Sequence, residues 1–128
     1  MDRCMKAFCA AGFALGLFAG PVVAAEPLPS AGIQWHTDLQ AAHRESLRLN
    51  RPVLIVFGAE WCHFCTKLEN ESLGHPQIVQ YINQTFIPVH LDFDVSEREA
   101  KILDIKAVPC VVALTPQAEL VGRLDGFA

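Results

Sequence analysis

Val53-Leu54-Ile55-Val56-Phe57-Gly58-Ala59-Glu60-Trp61-Cys62-His63-Phe64-Cys65 is the stretch on which the fold turns. Residues 53–57 are apolar without alternation, the pattern of a strand covered on both faces, and they are the best candidate for the central strand of a sheet. Cys62 and Cys65 follow, three apart, at the opening of a helix that the sequence carries to about Leu73. Cysteines at that spacing on a first helical turn can bring their sulfurs within reach of a reversible disulfide, and a helix N-terminus favours the thiolate of the first. Such a pair suits electron exchange more than the stapling of a loop.

Upstream, Thr37 or Asp38 can cap a helix to about Leu49, with Leu39, Ala42, Ser46 and Leu49 on one face and Asn50 as a left-handed stop. That apolar stripe is thin, so the helix should lie on the surface of a sheet. Downstream, Gly74-His75-Pro76 stops the helix opened by Cys62, and Pro76 can begin another through Asn83. Residues 86–93 read as a strand, and Ser96-Glu97-Arg98-Glu99 has the spacing of a capping box for a helix to about Asp104. Residues 111–114 and 120–124 read as a hairpin around Thr115-Pro116-Gln117. With a first strand near Ile33, against which Trp35 should pack in the core, the order is β-α-β-α-(α)-β-α-β-β. This is an α/β fold with a small mixed central sheet flanked by helices.

The ends and the composition narrow the class. Arg3 and Lys6 precede an uncharged run, residues 7–25, which Gly20-Pro21 interrupts ahead of Val23-Ala24-Ala25. Residues 1–25 therefore read as a secretory signal peptide cleaved after Ala25, with an uncleaved membrane anchor as the rival. Residues 26–32, holding Pro27, Pro29 and Gly32, read as a flexible leader, and residues 33–128 as one domain. Removing Arg3, Lys6 and Asp2 from the 10 basic and 14 acidic residues of the chain leaves 8 against 13. That acidic balance gives no electrostatic footprint for nucleic acid. Of 5 cysteines, Cys4 and Cys9 leave with the signal, so Cys62, Cys65 and Cys110 remain. Three are too few for a disulfide scaffold in an exported chain.

The strand, the run Ala59-Glu60-Trp61-Cys62-x-x-Cys65, then Val108-Pro109 before a second apolar strand, and a hairpin ending near Gly126 resemble the thioredoxin superfamily. The segment 67–94, with its Gly74-His75-Pro76 break, is similar to exported members, among them the C-terminal domain of a periplasmic reductant transporter. The resemblance implies an exported, periplasmic or secreted thiol-disulfide oxidoreductase, a monomer. Its partners would be protein disulfides or dithiols and a redox protein that recycles it. No cofactor is implied beyond the Cys62/Cys65 dithiol. Cys62 would attack, Cys65 would resolve, Trp61 would form an apolar platform, and Pro109 would be a cis-proline facing the pair. His63 and Val108 complete the implied substrate-binding set.

This chain departs from the common pattern. His63-Phe64 replaces Gly-Pro between the cysteines, the family's buried acid would fall at Val56 and its lysine neighbour at His90, and Cys110 stands where threonine is common. No final helix follows the hairpin. Protonated His63 would favour the Cys62 thiolate. The rival chemistry is a copper or zinc site built from Cys62, Cys65 and Cys110 with His63 or His90, and a redox-inactive protein-binding domain is a third reading. Cys62 is expected to be the more exposed of the pair, and Cys110 to be buried and unpaired. His36, His43 and His75 read as surface or capping residues.

Overall fold

The computed structural model describes Gly16, Gly20 and residues 32–127. All of the expected signal segment but Gly16 and Gly20, and all of the leader but Gly32, lie outside the described residues. Among those residues no helix is long and apolar enough to cross a membrane.

Val53, Ile55, Val56 and Phe57 would be stranded in water without a sheet, and the chain solves this by placing their strand inside one. Strand β1 (Val53–Gly58) lies between β2 (Ile87–Asp92), which it pairs in parallel, and β3 (Cys110–Leu114), which it pairs in antiparallel fashion. Strand β4 (Leu120–Asp125) closes the order β2-β1-β3-β4 as the hairpin partner of β3. The helices are α1 (Leu39–Leu49), α2 (His63–Lys67), α3 (Pro76–Thr85) and α4 (Glu97–Ile102). Alternation along the strands sorts the two faces of the sheet. Val53, Ile55 and Phe57 share a core with Ile87, Val89, Leu91, Cys110 and Val112, covered by Ala42 of α1 and Ala100 of α4. Ile55 and Phe57 are fully buried, each worth about 1.5–3 kcal/mol of transfer free energy. Val56 and His90, adjacent in register, point to the opposite face.

The local signals at α1 act as read. Asp38 accepts from the backbone N–H of Gln40 and Ala41, and Asn50 ends the helix with φ 51°. Ser46 is the buried polar residue of the helix face, and its hydroxyl donates to the Arg51 carbonyl, which removes the cost of an unpaired buried group. Pro76 opens α3, with His75 Nδ1 accepting from Gln77 N.

Four expectations are corrected. The first strand shrinks to a single parallel bridge, His36 to Val89, because Asp38, two residues later, already caps α1. Trp35 is half-buried rather than in the core, its ring edge-on to His90 with centroids 5.5 Å apart. The helix expected from Cys62 to Leu73 changes character: α2 passes at Leu68 into a π-helical turn (Leu68–Ser72), closed by Leu73 N to Leu68 O at 2.9 Å. Ser96 precedes α4 but makes no side-chain cap bond. No helix follows β4 among the described residues, and Leu120, Val121 and Leu124 are exposed there.

Candidate active site

Strand β1 ends at Gly58, and Ala59 O accepts from Cys62 N at 3.1 Å, a turn that sets Cys62 at the N-cap of α2 in extended conformation. A Cys62 side chain there faces the first unpaired N–H groups of the helix. Its Sγ accepts from Cys65 N at 3.2 Å. Cys62 and Cys65 are joined in a disulfide with Cα atoms 5.2 Å apart. On reduction the same N–H faces the Cys62 sulfur, and a hydrogen bond to a charged sulfur is stronger than one to a neutral sulfur. The geometry therefore favours the thiolate at Cys62 over the one at Cys65.

The exposure of the pair differs from expectation. Cys62 is 6% and Cys65 4% exposed, a difference too small to separate an open attacker from a shielded partner. Ala59 is buried with both cysteines, and Val108 packs against this group, so the disulfide lies beneath apolar side chains. The Val108–Pro109 peptide bond is cis, and Pro109 is buried.

Around the pair the aromatic side chains are open to solvent. Trp61 is 67% exposed, and its Nε1 donates to Asp94 Oδ2 at 2.7 Å. The turn behind β2 fixes Asp94: Asp92 Oδ1 accepts from the N–H of Asp94 and Val95. His63 is exposed with its ring edge-on to Phe64. Phe64, 56% exposed, stacks in turn on Phe127, with ring centroids 6.4 Å apart, and Lys67 Nζ lies 5.0 Å over the Phe127 ring. Asp94 and Phe127 escaped the sequence reading, because contacts across 33 and 63 positions leave no periodic trace.

The Thioredoxin-like family model matches residues 34–116, more than half of the chain. The chain belongs to the thioredoxin-like family. It is 27% identical to the thioredoxin-related protein DsbJ of Chlamydia pneumoniae over 116 residues, covering 81% of this chain and 33% of DsbJ. The chain thus spans about a third of the length of that relative. A solved DsbH oxidoreductase superposes with a TM-score of 0.69 at 17% identity, over 79% of this chain and 81% of the other. A thioredoxin from Thermus thermophilus gives 0.67 at 24% identity, over 74% and 76%. At these identities the two structures speak for the fold.

Within this thioredoxin-like frame, two of the positions that depart from the family pattern, Val56 and His90, lie side by side. Val56 is 1% exposed, and His90 beside it pairs Nε2 with Glu69 Oε1 at 2.6 Å. The sequence reading passed over Glu69, although its place four residues after Cys65 was a usable signal.

Cys110 takes no part in the disulfide. It is fully buried on the core face, in register with Phe57 and Asp125, and its thiol donates to Asp125 Oδ1 at 3.2 Å. Burial, and after it the Asp125 hydrogen bond, push the Cys110 thiol up to about 11. Asp125 is held below the usual carboxylate range, first by the Arg123 guanidinium and then by the Cys110 thiol. Arg123 also donates to Leu103 O and Asp104 O, tying β4 to the end of α4. The structure separates Cys110 from Cys62 and Cys65, so the three cysteines do not converge as the metal-site rival requires. Among the described residues no group of three or more His, Cys, Asp or Glu side chains is placed to hold a metal ion.

Proposed function

We propose that this chain is a thiol-disulfide oxidoreductase that acts on protein disulfides in an exported compartment, chiefly as a reductant. The observation that carries the reading is the Cys62–Cys65 disulfide at the start of α2, with the Cys65 N–H aimed at the Cys62 sulfur. In the reduced form Cys62 thiolate attacks one sulfur of a substrate disulfide and expels the other as a thiolate. Cys65 then attacks Cys62 Sγ in the mixed disulfide, the substrate leaves with two electrons gained, and the Cys62–Cys65 bond closes. A redox partner returns the pair to the dithiol. No cofactor takes part.

Trp61, His63, Val108 and Pro109 form the substrate-binding set in this reading, joined by Phe64. Exposed Trp61 and Phe64 flank the buried pair from the helix side, which supports docking of an apolar stretch beside a substrate cysteine. Export rests on the signal segment read in residues 1–25, and the working form is a monomer. The test is reduction of insulin disulfides by the reduced domain together with its reduction potential against glutathione. Catalysed reduction and a potential below that of the glutathione couple support a reductant. A dithiol that does not exchange with either disulfide overturns the reading.

A further inference from the structure

We propose that the groove along α4, between Val95 and Ile102, is a second docking site for protein substrates, and that it selects an extended segment apolar at two positions on one side of the substrate cysteine. The inference rests on the oxidoreductase reading and deepens it, naming a substrate class that the exposed rings of Trp61 and Phe64 leave open.

Val95 and Ile102 are the two most exposed large apolar side chains among the described residues, at 82% and 71%. One such residue alone is ordinary on a protein surface. These two share a single concave feature, an open groove of about 700 Å³ that Asp94 and Val95 line beside the start of α4 and Ile102 beside its end. Packing gives neither a role. Val95 directly precedes the N-cap residue Ser96, a position from which an apolar side chain commonly packs on the fourth residue past the cap. That residue, Ala100, is buried in the core, and Val95 stays in water. Ile102, two positions beyond Ala100, lies roughly 200° round the helix from it, away from the core.

The groove continues the redox face. Asp94 in its wall accepts from Trp61 Nε1 at 2.7 Å, so a segment that leaves the substrate cysteine across the indole meets Val95 first and Ile102 next. The six residues of α4 are about 9 Å long, which about three residues of extended chain span. Both ends of the helix are pinned. Asp92 Oδ1 accepts from the N–H of Asp94 and Val95, and Arg123 donates to Leu103 O and Asp104 O. A preformed groove spends little binding energy on ordering itself.

Size and charge choose the occupant. Seven residues line the groove, against about 20–30 a side in a stable protein–protein interface, so it fits a short segment and not the face of a second copy. Between the apolar ends stand Glu97, Arg98, Glu99 and Lys101, which form no ion pair among the described residues. Two charges of each sign give little net field to select by, and the apolar contacts decide.

The probes are polar peptides with one cysteine, held as a mixed disulfide with a fluorogenic thiol, along which a pair of leucines at this spacing is moved on either side of the cysteine. The reduced chain should favour one register on one side, with kcat/KM about 5- to 10-fold above that of the all-serine peptide, chiefly through KM. Val95→Ser/Ile102→Ser should abolish the advantage and leave exchange with oxidised glutathione within about twofold, which also shows that the variant folds. Val95→Ile/Ile102→Leu should keep it, and so should high salt, which screens exposed charges but not apolar contact. No favoured register, a register that the serine variant favours equally, equal slowing on glutathione, or loss of the advantage in salt overturns the groove and leaves the oxidoreductase reading intact. Sedimentation showing a wild-type dimer that the serine variant loses also overturns it, assigning the face to a second copy. A wild-type chain that exchanges with neither the peptides nor oxidised glutathione overturns both.

Discussion

Cys110 and Asp125 face each other across the β3–β4 ladder, with the thiol donating to Oδ1 of the carboxylate at 3.2 Å. The contact fixes the cysteine's role. Its sulfur is committed to the core face, where Phe57 is its register partner in β1, and the redox pair sits beyond the end of that strand.

Cys110→Ala should therefore preserve disulfide exchange within about twofold and cost roughly 1 kcal/mol of stability from lost packing. Peptide mapping of the oxidised native chain should find Cys62 joined to Cys65 and Cys110 as a free thiol. A Cys110 crosslink to either residue contradicts the assignment.

Alkaline stability gives a second test through the same thiol. Its folded value of about 11 stands above the ordinary 9.0, so both states keep the proton below pH 9 and this contribution is fully present there. Between pH 9 and 11 the unfolded chain releases the proton and the folded chain retains it, so stability falls as pH rises. The full shift corresponds to a loss on the order of 2 kcal/mol. Thermal melts from pH 8 to 11 should fall more steeply for the wild type than for Cys110→Ala, and parallel curves would refute this.

Among the described residues the Trp61 indole makes one hydrogen bond, to Asp94. Asp94→Ala should free the indole, raise its mobility in fluorescence anisotropy, and lower kcat/KM on insulin by about 2- to 5-fold, the size expected for one hydrogen bond to a charged acceptor. Exchange with oxidised glutathione, which offers far less apolar surface than a protein substrate, should change less. Equal effects on both substrates would remove Trp61 from the docking surface.

Cys65→Ser should accumulate mixed disulfides through Cys62 with exported proteins, because the resolving thiol is gone. Cys62→Ser should trap few. Affinity capture under acid quench, compared between the two variants, reads the difference directly, and equal capture would reverse or abolish the attack and resolution roles.

Much of the fold was legible because local rules and burial agree along the chain. The unbroken apolar run at residues 53–57 could be stable only with both faces covered, and it became the interior strand. Asp38, Asn50 and Pro76 marked helix ends through stereochemistry that acts within a few residues. Cys62 and Cys65 announced their disulfide by their spacing at the start of a helix that follows an apolar strand. The sequence by itself therefore determined the class of fold, the position of the central strand and the redox pair. What surrounds that pair was decided only in three dimensions. Glu69 meets His90 across 21 positions and Trp61 meets Asp94 across 33, joined by the turn of a helix over a sheet and the parallel placing of β2 beside β1. Cys110 was readable as buried, but its face followed from the register that set it opposite Phe57 and Asp125. A one-residue change of that register would have turned its sulfur to the other side of the sheet, because side chains alternate along a strand and the sequence does not write its own pairing.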